Sequence, residues 1–126
     1  MDWQLFLTVL AITESLNSQA AIGDQHLQDK AYGVYQIRQI YLNDVNWIAG
    51  TDFTMDDVRR NPAIATWCVI TYVKYWGKIY ERQMQKPLTM EVACRIHNGG
   101  PSGWRKSATD AHWERFRQFL TEETGQ

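Results

Sequence analysis

The sequence predicts a mainly α-helical, α+β globule with a small irregular β-hairpin or loop segment after its first helix. Three observations carry that expectation. Apolar residues recur at helical spacing near the N-terminus and again after Pro62, the polar stretch from Asn17 to Ala31 shows no sustained period, and helix start and stop signals punctuate the rest. With 126 residues, 44% of them hydrophobic, the chain is long enough for one compact core and too short for two, so residues 1–126 are read as a single domain.

In the first element Leu5, Val9, Ile12 and Leu16 form a helical stripe, Phe6 and Leu10 widen it, and Asp2 is placed to cap its start. The loop or hairpin that follows ends in Gly33-Val34-Tyr35-Gln36-Ile37, an alternating piece that reads as a strand edge or extended segment. Ile40, Tyr41, Val45 and Ile48 predict a short second helix, and Thr54 with Asp57 resembles a capping box. Asn61-Pro62 is a cap followed by proline at the first helical position. It opens a helix carrying Ile64, Trp67, Cys68, Thr71, Tyr75 and Ile79 to about Gln83, the longest and most buried element. Thr89 opens another helix, which Gly99-Gly100-Pro101 must end, and Thr109 or Asp110 starts the last, with Trp113, Phe116 and Leu120 on one face.

Thirteen basic residues against fourteen acidic ones leave a formal charge of -1, so no global field recruits nucleic acid or an anionic membrane. Binding must come from a shaped site. Six tryptophans and six tyrosines supply flat amphipathic rings of the kind on which sugars stack, although such rings also fill cores. Cys68 and Cys94 are too few for a disulfide framework and read as buried thiols. No Cys or His spacing suggests a metal, and no cofactor is called for. The N-terminal apolar run lacks a basic n-region and a small-residue cleavage site, so it reads as a domain helix and not as a signal peptide. The chain is therefore expected to be made in the cytoplasm.

Glu14 stands out because it continues the row of Phe6 and Leu10 at the last turn of the first helix instead of facing open water. Cleaving a glycosidic bond requires a carboxylic acid that still holds its proton near neutral pH, and a glutamate set against apolar surface meets that need. The polar loop beyond it holds Asp24 and Asp29, either of which could face Glu14 across a cleft. By periodicity alone, an ordinary helix-terminal glutamate is the favoured reading of Glu14.

Motifs decide between these readings. Glu14-Ser15, then Gly33-Val34-Tyr35-Gln36-Ile37, then Tyr41 and Asp44 resemble the Glu-Ser, Gly-x-x-Gln-Ile and Tyr-x-x-Asp pattern of the lysozyme-like superfamily. The segment Ala93-Cys94-Arg95-Ile96-His97-Asn98-Gly99-Gly100-Pro101-Ser102-Gly103, followed by Thr109 and Trp113, resembles that of invertebrate-type (destabilase) lysozymes. More distantly the pattern is similar to goose-type lysozymes and soluble lytic transglycosylases, which carry Tyr-Asn-Ala-Gly there.

The resemblance implies a muramidase that cuts the β-1,4 bond between N-acetylmuramic acid and N-acetylglucosamine of peptidoglycan, with Glu14 as general acid. Lysozyme is itself the type case of this chemistry. It further implies that Ser15, Gln36, His97, Asn98 and Gly99 line or brace the sugar site. Two departures stand out. Two cysteines cannot supply the many disulfides of the secreted invertebrate enzymes, which points to a phage or bacterial relative, an endolysin acting as a monomer on cell wall reached after release or by another export route. The family's second catalytic aspartate falls at a position seven residues before Gly33 that here is His26. Asp24 is the preferred substitute, because Gly23 gives it a tight turn from which to project inward, while Asp29 beside Lys30 reads as a solvated surface pair. Rival expectations are a lytic transglycosylase, which needs one carboxylate only, a chitin-directed enzyme, and a non-catalytic glycan-binding module on the same fold.

Overall fold

The computed structural model describes residues 1–125. Helix α1 spans Trp3–Ser15, and Asp2 caps it by accepting the Leu5 backbone N–H at 3.0 Å. Leu16, expected to continue the buried stripe, instead ends the helix in the left-handed region (φ 53°) with its side chain 70% exposed. The chain has to leave the helix axis here, and Leu16 and Asn17 both take positive φ to do so.

The next segment is a minimal hairpin. Strand β1 (Ile22–Gly23) pairs antiparallel with β2 (Ala31–Tyr32), Ile22 opposite Tyr32 and Gly23 opposite Ala31. Residues 33–36, read from sequence as an extended edge, form a tight turn that a single bridge between Tyr32 and Ile37 closes. The alternation that suggested a strand is genuine in burial: Ala31, Gly33, Tyr35 and Ile37 are buried and the residues between them only partly so. Gly33 at φ 79° and Gln36 at φ 53° fold the chain back, which an alternating apolar pattern cannot reveal.

Five helices follow: α2 (Gln39–Ala49), α3 (Met55–Arg60), α4 (Pro62–Met84), α5 (Met90–Gly99) and α6 (Asp110–Thr124), with two short 3-10 turns between the last two. Thr54 and Asp57 form a complete capping box, Asn61 caps α4 through Ala63 N at 3.0 Å, and Thr89 caps α5 through Val92 N at 3.2 Å. In α4 the buried face is Ala65, Cys68, Val69, Tyr72, Val73, Gly77 and Tyr80. It is rotated about one position from the expected stripe, so Ile79 is exposed. The rotation follows from α4 being apolar on more than one side, a case in which periodicity marks a helix without fixing its inner face.

The core joins Phe6, Val9 and Leu10 of α1 to Leu42 and Val45 of α2, Val69 and Val73 of α4, Cys94 and Ile96 of α5 and Phe116 of α6. Each large side chain removed from water there contributes about 1.5–3 kcal/mol. Helix α5 lies at the centre, packed on α4 and α6, while α1 packs on α6 and α2 on α4. This arrangement brings the C-terminal ends of α1 and α5 together beside the hairpin.

Candidate active site

The meeting point is a cleft of about 570 Å³ with one helical wall and one hairpin wall. Glu14, His97, Asn98, Gly99 and Gly100 supply the first. Gly23, Asp24, Ala31, Gln36 and Arg38 supply the second, and Ile40, Tyr41, Asp44 and Tyr72 close the end toward α2 and α4. Of the residues singled out from sequence, Glu14, Asp24, Gln36, His97, Asn98 and Gly99 line this cleft, whereas Ser15 does not.

Glu14 keeps a carboxylate at the cleft with its side chain 13% exposed, and its Oε1 is buried without a hydrogen-bond partner. Its surroundings differ from the wholly apolar setting that its row predicts, because two imidazoles face it. His97 Nε2 lies 3.5 Å from Oε1, and His112 Nε2, from the first turns of α6, approaches to 2.9 Å without the alignment of a hydrogen bond. His112 escaped the sequence reading although a signal was present. It precedes Phe116 and Leu120 on one helical row, a polar residue on an apolar row as Glu14 is after Phe6 and Leu10. The two rows pack together, Phe6 against Phe116 at 5.7 Å between ring centres and Glu14 against His112.

His97 is a clamp. The Tyr35 carbonyl 2.9 Å from Nε2 can only accept, so Nε2 carries the proton, and Tyr41 then donates its hydroxyl to Nδ1, also at 2.9 Å. Burial lowers the His97 pKa and so favours the neutral ring, against the opposing pull of Glu14. With both nitrogens committed to protein partners, neither is free for a sugar. Ser15 plays a similar part, donating to the Val34 carbonyl at 2.7 Å and accepting from Ser18 N at 3.1 Å. The Gln36 side-chain amide donates to the Gly33 carbonyl at 2.9 Å and the Ala21 carbonyl at 3.3 Å. These three motif residues therefore fasten the turn at 33–37 to α1, to α5 and to its own hairpin. Tyr41 stacks on Tyr72 with ring centres 3.7 Å apart, and burial pushes both phenols upward, Tyr72 to about 12, so both stay neutral donors.

Two glycines at the end of α5 have different reasons. Gly99 lies within the helix, as its last residue. A Cβ there would stand 2.5 Å from the Thr109 side-chain methyl, so its role is close packing. Gly100, at φ 90° and ψ -169°, is the residue whose conformation other side chains resist, and it turns the chain along the cleft floor. Beside them Asn98 is exposed in the cleft, its amide outside every side-chain hydrogen bond among the described residues.

On the hairpin wall Asp24 sits in the left-handed region (φ 54°) and pairs with Arg38. Arg38 also donates to the Asp29 carbonyl. The expected Asp29–Lys30 surface pair is not formed: the Asp29 carboxylate accepts the Gln39 backbone N–H at 3.3 Å, at the start of α2, and Asp29 does not line the cleft. A helix N-terminus presents unpaired N–H groups, and it draws this carboxylate more effectively than a solvated lysine. Asp44 lines the cleft with no ion pair or side-chain hydrogen bond among the described residues. Cys68 and Cys94 are buried free thiols away from the cleft lining; burial raises Cys68 to about 11 and Cys94 higher still, which keeps both unreactive.

No family model matches the chain. Among curated relatives, a lysozyme of Meretrix lusoria is 29% identical over 87 residues, covering 69% of this chain and 66% of the relative. A lysozyme of Magallana gigas is 34% identical over 86 residues, covering 68% and 58%. Lysozyme 1 of Crassostrea virginica is 34% identical over 85 residues, covering 68% and 42%, so the matched stretch spans less than two thirds of each relative. Among solved structures, Meretrix lusoria lysozyme in complex with Aeromonas hydrophila PliI superposes with a TM-score of 0.74 at 25% identity, and Tapes japonica lysozyme with 0.71 at 26%. Each alignment covers 91% of this chain and 88% of the other. Motif order, helix arrangement and these likenesses converge: the chain belongs to the lysozyme-like superfamily, with the invertebrate-type lysozymes as its relatives.

Proposed function

We propose that the protein is a muramidase, hydrolysing the β-1,4 bond between N-acetylmuramic acid and N-acetylglucosamine in peptidoglycan. The observation that carries this reading is Glu14 itself, a carboxyl at a helix end that lines the cleft while its Oε1 is buried against two imidazoles. In the protonated form it donates to the glycosidic oxygen as the bond to the anomeric carbon breaks. The leaving sugar departs as an alcohol, and positive charge develops on the ring left behind. Asp24 faces that ring from the hairpin wall, where a carboxylate stabilises the developing cation or orients a water; water then adds to the anomeric carbon, passing one proton to a carboxylate of the cleft, and gives a reducing end. Asn98 supplies an amide for the N-acetyl groups or hydroxyls.

One observation favours a second reading. Asp24 is engaged by Arg38, which mutes its field, and an enzyme whose loop aspartate is engaged in this way suits attack by the muramic acid's own 6-hydroxyl. Mass spectrometry of fragments released from purified peptidoglycan tests both. Reducing ends support hydrolysis, fragments lighter by one water identify the transglycosylase route, and an undigested polymer overturns the proposal.

A further inference from the structure

Two of the most exposed large hydrophobic residues, Ile40 at 68% and Trp47 at 69%, share helix α2. Isolated exposed hydrophobics are common and need no explanation, but their register here is specific. Ile40, Asp44 and Trp47 occupy positions i, i+4 and i+7, one row of the helix, and the first two line the cleft. The row therefore runs from the cleft outward, Ile40 to Trp47 covering about 10 Å at the helical rise. Trp47 has one aromatic neighbour: its ring meets Tyr75 nearly at right angles, 5.9 Å between centres, and Tyr75 in turn abuts Trp76 at 4.8 Å. Tyr72, one turn before Tyr75 on α4, lines the same cleft. Asp44, between the two apolar residues, is half-buried and free of protein partners among the described residues.

We infer that this face of α2 continues the cleft as a track for further sugar rings of the same glycan strand, with Trp47 as a stacking platform and Asp44 as an acceptor for their hydroxyl or amide hydrogens. The inference rests on the glycan-cleaving reading above and extends it to recognition of the strand beyond the cleaved bond. An indole presenting its surface to water, one helical turn past an unpartnered carboxylate, offers the paired apolar and polar features that a sugar ring presents. The occupant this chemistry fits is a neutral β-1,4-linked chain bearing N-acetyl groups.

The test uses N-acetylglucosamine oligomers of increasing length as probes, with affinity measured calorimetrically on the Glu14→Gln protein so that none is cut. The expected result is an affinity that climbs with length, and a ladder flattened at its upper end when Trp47→Ala is added, by up to about tenfold for the longest oligomer given the modest worth of a ring stack. Trp47→Phe should restore most of that gain, and Asp44→Asn should remove part of it. Long and short oligomers weakened equally by Trp47→Ala, or not weakened at all, would overturn the track, as would sedimentation showing that Trp47→Ala turns a dimer into a monomer. Failure of the underlying reading looks different: the oligomers would bind at no length and the unsubstituted protein would leave peptidoglycan intact.

Discussion

The two walls of the cleft are built by different physics. The helical wall takes Glu14 from the end of α1 and His97 from the end of α5, backs them with His112 of α6, and leaves Glu14 only 13% exposed. Its positions are set by Phe6, Ile96 and Phe116, all wholly buried. The hairpin wall rests on two two-residue strands, and its carboxylate, Asp24, is 40% exposed and held by an ion pair that solvent screens. What the hairpin has in rigidity it borrows from the helices, through Ser15 on the Val34 carbonyl and His97 on the Tyr35 carbonyl. The contrast teaches where precision is needed. On the muramidase reading proposed above, a proton donor that must meet one atom of the substrate sits on packed helix ends, while charge stabilisation tolerates an adaptable partner.

The sharpest break of this contrast is Glu14→Gln, which keeps shape and loses the transferable proton. Lytic activity on peptidoglycan should fall by about 10²–10⁴-fold while the melting temperature stays unchanged. Next come the two loop aspartates. Asp24→Asn should lower kcat by about 10²-fold, and Asp29→Asn, which retains an acceptor for Gln39 N, by less than about threefold. A reversed ranking in the same assay would move the second role to Asp29, and two silent substitutions would leave the helical wall as the sole catalytic one.

His112→Phe sharpens the description of the helical wall. A ring of similar size preserves the packing on α1 but removes the nitrogen beside Glu14. A fall in kcat of about tenfold with KM little changed is the expected mark of a misaligned donor. An unchanged kcat would reduce His112 to a spacer. The smallest effect concerns His97 as the clamp between walls. Its pKa is depressed by burial, so between that lowered value and the ordinary histidine value near 6.5 the unfolded chain binds more protons than the folded one. Stability should therefore rise with pH across that window and be lost on acidification. Melting curves from pH 7.5 to 5 should show His97→Gln flattening this slope by a few degrees, and an identical slope in both proteins would remove His97 as its source.

Much of this was legible in the sequence where the determinants are local. The caps at Asp2, Thr54, Asn61 and Thr89 were readable because a cap needs only its own side chain and the next turn's N–H groups. Glu14 was readable because it places a carboxyl on an apolar row and opens the Glu14-Ser15 motif. The turn at 33–36 was misread as a strand edge because alternation reports burial, and a bent segment can alternate as well as a straight one.

What the sequence determined by itself is the set of helices, their ends and the marked glutamate, since each depends on residues within a turn or two of one another. The tertiary structure alone decided which carboxylates share the cleft, that Asp24 answers to Arg38 and Asp29 to the start of α2, and that Ser15, Gln36 and His97 hold a turn in place. It also decided that His112, from the far end of the chain, stands 2.9 Å from Glu14. That proximity is a sum of helix crossings, each set by which buried faces interlock, and no period or motif within a single segment contains it.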